Sequence, residues 1–291
     1  MHIKINLVGQ FTGVPCFETS TIDDVIAHFL QHNDIPLSYA PYCAIMELRA
    51  DNFGYPLPSD ALVIKYQNSS LHFRILSMPT DSIDQINENF QEILFNQIHR
   101  FIVVRTWSVS DEIVLTLAAF KCAAEFGQFS DERHKIGFLT NCIKEIVPAD
   151  FIASHKDKDL QQKIIDIWYK QTQLLYNVSR QKTISEYIKY CQQNVLQYGT
   201  SSFVARMVKQ KDKTVDIFCY VCISAKTVMI MNPDAEIVAK FENQGLKYPE
   251  PGSTKLIMTS DGDQYILEMN GIQAMKAIHE FLSKSMSKDE E

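Results

Sequence analysis

The stretch Leu117-Ala-Ala-Phe-Lys-Cys-Ala-Ala-Glu-Phe-Gly127 decides the fold. Ile113, Leu117, Phe120 and Ala124 recur at the spacing of one helical face, and Gly127 follows where a C-cap glycine belongs. Downstream, Ile164, Ile167, Trp168 and Leu175 form a second stripe. Ile184, Ile188, Cys191, Val195 and Tyr198 form a third, ended by Gly199. Shorter helices are predicted over 84–100 and 138–146. Residues 80–198 are therefore expected to be a compact helical bundle.

The rhythm changes on both sides of it. In residues 1–79, Ile3, Ile5 and Leu7 alternate with Lys4 and Asn6, the mark of a half-buried strand. Phe11-Thr-Gly-Val-Pro15 is predicted as a turn, with a second strand over 16–19. Thr21 and Asp24 are spaced as a capping box ahead of a helix carrying Ile22, Val25, Ile26, Phe29 and Leu30. Strands over 42–49 and around Leu71, Phe73 and Ile75 complete a ubiquitin-like order, with 52–59 a loop. Residues 199–291 carry short strand patterns over 203–208, 217–223, 228–231, 237–241, 255–258 and 265–269. A closing helix follows, with Ile272, Met275, Ile278, Phe281 and Leu282 on one side. Six or seven strands and one C-terminal helix match a pleckstrin-homology or phosphotyrosine-binding barrel. The fold class is α+β in three lobes.

Composition narrows the function. The chain has 291 residues and a formal net charge of −7, which excludes a whole-molecule basic field for nucleic acid. Its seven cysteines are scattered, which suits a reducing compartment. Cys219 and Cys222 form the one C-x-x-C, but on a strand they point to opposite faces and cannot share a metal. No apolar run approaches a membrane span, and the N-terminus has no secretory h-region. There is no Gly-rich phosphate loop, no G-x-S-x-G and no H-E-x-x-H, so no enzyme, cofactor or metal site is expected. His28 and His32 lack a third ligand, Asp261-Gly-Asp263 is read as a hairpin turn, and the sequons at Asn68 and Asn177 carry no weight.

Three motifs in order resemble the FERM domain. Leu94-Phe95-Asn96-Gln97-Ile98 is similar to the start of its second lobe, and the alanine-rich helix ending Phe126-Gly127 resembles its central helix. Gln197-Tyr198-Gly199-Thr-Ser-Ser-Phe203 resembles the join between its second and third lobes. Within the family, His134-Lys135-Ile136-Gly137-Phe138-Leu139 and the lysine-rich loop after Phe203 are similar to talin heads. The strand-first beginning at His2 and the lack of a long basic insertion depart from talin, and myosin-tail FERM domains are the other candidate.

The resemblance implies an adaptor joining membrane-receptor tails and acidic phosphoinositides to the actin cytoskeleton or cortical signalling, at the cytoplasmic face of the plasma membrane. It implies a peptide groove formed by Gly245-Leu246-Lys247-Tyr248 as an open edge strand and by Ile272, Met275 and Lys276 on the facing helix. Pro249 and Pro251 remove donors from that edge, so an edge closed by them, with Tyr248 covering the core, is the competing reading. It places lipid contacts at Arg133, Lys135, Lys209, Lys211 and Lys213, with Asp131, Glu132 and Asp212 interleaved. The first lobe is similar to Ras-association folds that bind small GTPases, though it carries 4 basic against 7 acidic residues. The alternative is a regulatory FERM segment of a larger motor, kinase or phosphatase.

Overall fold

The computed structural model describes residues 2–7, 10–50, 52–79, 82–174, 179–224, 226–242, 246–260 and 262–289. Leu175, Asn177, Gly245 and Asp261, named above, lie outside them. The chain divides into two compact units, one formed by Met1–Thr80 with Gly199–Glu291 and the other by Asp81–Tyr198.

The N-terminal lobe contains β1 (His2–Leu7), β2 (Gln10–Pro15), α1 (Ile22–His32), β3 (Cys43–Leu48), β4 (Gly54–Pro56) and β5 (Ser70–Ile75). The strands lie in the order β2-β1-β5-β3-β4, with β1 and β5 parallel. The capping box at α1 forms: Asp24 N–H donates to the Thr21 hydroxyl at 3.2 Å, and Thr21 N–H donates to the Asp24 carboxylate at 2.8 Å. Those hydrogen bonds hold the Asp24 carboxyl below its usual range. Phe29 from α1 stacks on Phe73 from β5 at 4.2 Å.

The predicted turn at 11–15 is a strand. Leu7 pairs with Gln10, so the hairpin closes over two residues and the whole of 10–15 becomes strand, while 16–19 is not. Gly13 and Pro15 mimic turn chemistry, but β2 is a sheet edge, where a missing N–H is tolerated.

The helical unit contains α2 (Glu88–Val103), α3 (Asp111–Phe126), α4 (Ile143–Ile146), α5 (Ala149–Ser154), α6 (Asp157–Leu174) and α7 (Arg180–Asn194). The helix predicted over 138–146 is helical only at its end. Ala118, Ala119, Ala123 and Ala124 are all buried, so α3 is covered nearly all round by α6 and α7. Small side chains let helix axes approach closely there. Gly127 adopts φ +76°, its N–H donates to the Ala123 carbonyl at 3.0 Å, and its own carbonyl accepts from the Trp168 indole at 3.0 Å. His99 is fully buried and neutral. Its Nε2–H donates to the Glu145 carbonyl at 2.9 Å, and Nδ1 accepts from the Tyr187 hydroxyl at 3.2 Å.

The third lobe contains β6 (Ser201–Gln210), β7 (Lys213–Ile223), β8 (Thr227–Met231), β9 (Ile237–Glu242), β10 (Lys255–Ser260), β11 (Asp263–Glu268) and α8 (Ile272–Asp289). Every neighbouring pair in the order β10-β11-β6-β7-β8-β9 is antiparallel. The curled sheet wraps a core that α8 closes with Ile272, Met275, Ile278 and Leu282. The same core takes Ala44, Met46, Tyr55 and Leu76 from the first lobe, so the two β lobes form one body. At Gly271, with φ +80°, a Cβ would stand 2.7 Å from the Phe53 ring. Cys219 belongs to this core, whereas Cys222 lies with Tyr220, Met229 and Met231 on the opposite face.

Candidate peptide and lipid surfaces

The third-lobe sheet has two edges, β9 and β10, and no strand lies between them among the described residues. Of the edge strand expected at Gly245-Leu-Lys-Tyr248, the described residues 246–248 are not strand: residues 246–249 form a strap with no strand pairing. The strap is tied to α8. The Tyr248 hydroxyl is hydrogen-bonded to His279 Nδ1 at 3.0 Å, and the Gln273 side-chain amide donates to the Pro249 carbonyl at 3.4 Å. Burial pushes the Tyr248 hydroxyl pKa up and the His279 ring pKa down, so both partners stay neutral. Pro249 supplies no N–H for a ladder.

The expected groove residues separate in space. Leu246, Lys247 and Tyr248 line a cleft of about 790 Å³ together with Lys240, Phe241, Glu242, Pro249 and β10 residues. Ile272 and Met275 are buried in the core beneath α8, so their side chains form no outer wall. The stripe that marks α8 as amphipathic is the stripe that contains them, and the core takes it whole. Lys276 is exposed enough to reach Glu280 at 4.0 Å.

Two of the three lysines of the β6–β7 hairpin are already engaged. Lys211, held at φ +57°, pairs with Asp263 at 2.8 Å, and this hydrogen bond raises its pKa. Lys209 donates to the Gln264 side chain at 3.0 Å. Lys213 is exposed, with no ion pair among the described residues.

Arg133 and Lys135 have different surroundings. Both are exposed and unpaired among the described residues, as are Asp131 and Glu132 beside them. Just beyond the cations, Ile136 is 50% exposed and Phe138 37% exposed. His134 turns inward against Trp168 with ring centroids 4.4 Å apart, and its Nδ1 accepts from Ser130 N–H at 3.0 Å. Phe126, edge-on to Phe138 at 4.9 Å, and Tyr169 extend the apolar surface. Sequence periodicity assigned Phe138 to a helix and so missed that it stands at the surface beside the cations.

Elsewhere, β2 is the free edge of the first-lobe sheet and carries Phe11 at 69% exposure, with Phe17 at 76% just beyond it. No group of three or more His, Cys, Asp or Glu side chains suited to a metal occurs among the described residues. No helix among them is long and apolar enough to cross a membrane.

Residues 81–203 match the FERM central domain family. Among solved structures, the FERM domain of Drosophila Merlin in complex with the C-terminal domain superposes with TM-score 0.69 at 13% identity, covering 99% of this chain and 98% of that one. The human myosin 7b C-terminal MyTH4-FERM domain, solved with the harmonin-a PDZ3 domain, gives TM-score 0.74 at 12% identity, covering 99% and 60%. The Dictyostelium discoideum myosin VII MyTH4-FERM MF1 domain gives 0.71 at 10% identity, covering 96% and 58%. The chain thus spans nearly all of the Merlin chain and about three fifths of each myosin chain. With a match to the FERM central domain over 81–203 and a three-lobed fold shared with the Merlin FERM domain, this chain has the FERM fold.

Proposed function

We propose that this FERM domain is a membrane-recruited adaptor that binds acidic phosphoinositides with its middle lobe and a receptor tail with its third lobe. The observation that carries the reading is the turn where exposed Arg133 and Lys135 are followed by exposed Ile136 and Phe138. Cations beside protruding apolar side chains suit an anionic bilayer surface, where charge attracts and apolar groups enter the headgroup region. Modest lipid and peptide affinities then add through effective concentration at the membrane. The lipid residues of this reading are Arg133 and Lys135, with Lys209, Lys211 and Lys213 in a lesser role. The peptide residues are Leu246, Lys247, Tyr248 and Lys276. The module performs no catalysis of its own. A talin-like role in adhesion, linking receptors to actin at the cell cortex, is the finer form of this proposal, supported by the His134–Leu139 and lysine-loop similarities.

Co-sedimentation with phosphoinositide-containing and neutral vesicles, each at two salt concentrations, tests it. Binding is expected to the anionic vesicles, weakened but not abolished by salt. Equal recovery with both lipids would sink the membrane half.

A second reading has support in the two myosin matches, which cover 99% and 96% of this chain but of which it spans only 60% and 58%. In that reading the domain is the regulatory or cargo-binding FERM segment of a larger motor, kinase or phosphatase. A small GTPase on the first lobe would use the β2 edge between Phe11 and Phe17.

A further inference from the structure

The third-lobe sheet ends in two edges, β9 and β10, that line one cleft, and the register shows which main-chain groups of β10 face it. Met269 N–H donates to the Thr254 carbonyl at 2.8 Å, which sets the alternation along the β10–β11 ladder. Leu256, Met258 and Ser260 therefore exchange hydrogen bonds with Leu267, Tyr265 and Asp263. Lys255, Ile257 and Thr259 turn their N–H and C=O groups to the open side. Lys255 N–H is met locally by the Ser253 hydroxyl at 3.2 Å. Ile257 and Thr259 have no such local partner among the described residues.

None of the described residues fills this position. Residues 246–249 follow β9, but Tyr248 is held to His279 and Pro249 to Gln273, both on α8. Between β9 and β10 the cleft of about 790 Å³ remains. Its inner wall is apolar, formed by Phe241, Leu246 and Met258. Its rim carries Lys240, Lys247 and Lys255 against one carboxylate, Glu242. Among described residues Lys240 and Lys247 have no ion pair, while Lys255 reaches Glu268 at 3.6 Å.

We propose that this cleft receives an extended acidic segment of a partner protein, which adds to the free edge of β10 as a seventh strand. The assignment rests on the third lobe being the peptide-binding lobe, and it moves the peptide from α8 to the gap between the two sheet edges. A strand placed there closes the barrel and removes exposed edges. Its side chains alternate between the faces that β10 defines. Residues level with Leu256 and Met258 point inward and must be apolar. Residues level with Lys255, Ile257 and Thr259 point outward beside the lysines and favour carboxylates. The recognised pattern is therefore acidic-apolar-acidic-apolar over about five to seven residues.

The probe is a fluorescent heptapeptide of alternating glutamate and valine, read by anisotropy against a lysine–valine peptide of the same length. The glutamate peptide should bind, and more tightly at low salt than at high salt. Lys240→Glu with Lys255→Glu should weaken it about tenfold or more. Ile257→Pro removes an outward N–H without touching the β11 ladder, and should also weaken it about tenfold. A peptide N-methylated at its glutamates, the residues that stand opposite Ile257 and Thr259 in an antiparallel strand, tests the same hydrogen bonds from the other side, so a folding defect in the proline variant cannot decide the matter. Equal binding of glutamate and lysine peptides, or full binding of the N-methylated peptide, overturns the assignment. Binding lost in Lys276→Glu but kept in Ile257→Pro overturns the cleft and leaves peptide binding along α8 standing. No binding by the glutamate peptide, with a receptor-tail peptide still captured, has the same meaning; capture of neither removes both.

Discussion

The turn around Arg133 and the hairpin around Lys211 are both short, charged connections, and residue counting favours the hairpin. Residues 209–213 hold three lysines and one aspartate, whereas residues 131–135 hold two cations and two carboxylates. Folding reverses the order. Lys211 is tied to Asp263 and Lys209 to Gln264, which leaves Lys213 as the uncommitted cation of the hairpin. Arg133 and Lys135 remain uncommitted among the described residues, and Ile136 and Phe138 stand beside them. A charge count along the chain misses both effects. What matters at a bilayer is charge still available after folding, together with apolar surface that can enter.

The apolar half of the turn should show the largest effect. Ile136→Glu removes a side chain that is half exposed and adds a repelling charge, so binding to phosphoinositide vesicles should fall about thirtyfold. The loss should persist at high salt, where charge alone would be screened. Intact tryptophan emission would show that the helical unit is still folded, because Trp107 and Trp168 are the only tryptophans and both are buried there. If Ile136→Glu sediments like wild type, the turn does not touch the membrane.

Reversing the cations comes next. Arg133→Glu with Lys135→Glu should weaken binding about tenfold at low salt, an effect that shrinks as salt rises. Lys209→Glu, Lys211→Glu and Lys213→Glu together should cost only about threefold, although three charges change rather than two. The lesser effect follows from the Asp263 and Gln264 contacts, which already hold two of the lysines to β11. A triple variant that binds less than the double variant would invert the comparison.

The same division between local pattern and long-range contact explains what was legible beforehand. The Thr21–Asp24 cap, Gly127 at the end of α3 and the six strands of the third lobe are local signals, and each appears in the structure. Alternation along Lys255–Ser260 and the stripe on α8 follow from periods of two and 3.6. Errors arose where local chemistry has two uses. Gly13 and Pro15 suit a turn or an edge strand, and the Leu7–Gln10 pairing chose the strand. Ile272 and Met275 suit a core stripe or a groove wall, and the core took them. The partners of Lys211 and Tyr248 lie 52 and 31 residues away in the chain, beyond any periodicity.

The smallest effect separates the two connections by pH. The turn contains His134, whereas the hairpin contains no histidine. Burial first, and the nearby Arg133 charge second, hold the His134 pKa below its ordinary 6.5. Burial likewise lowers His99, to about 3. A histidine whose folded pKa is depressed binds its proton more readily when unfolded. Its contribution is fully present above about pH 6.5 and is lost as pH falls toward the folded value, with a slope of at most about 1.4 kcal/mol per pH unit per histidine. The helical unit should therefore lose stability on acidification below 6.5, followed through Trp107 and Trp168 during denaturant unfolding. His134→Gln should flatten the part of this slope nearest 6.5 and leave the lower part, which His99 carries. Vesicle binding through the turn should weaken only about twofold between pH 7 and 6, because Ser130 N–H loses its acceptor only in the minor protonated population. A stability curve unchanged by His134→Gln would mean that the ring keeps its ordinary pKa and that its packing on Trp168 does not exclude the charged form.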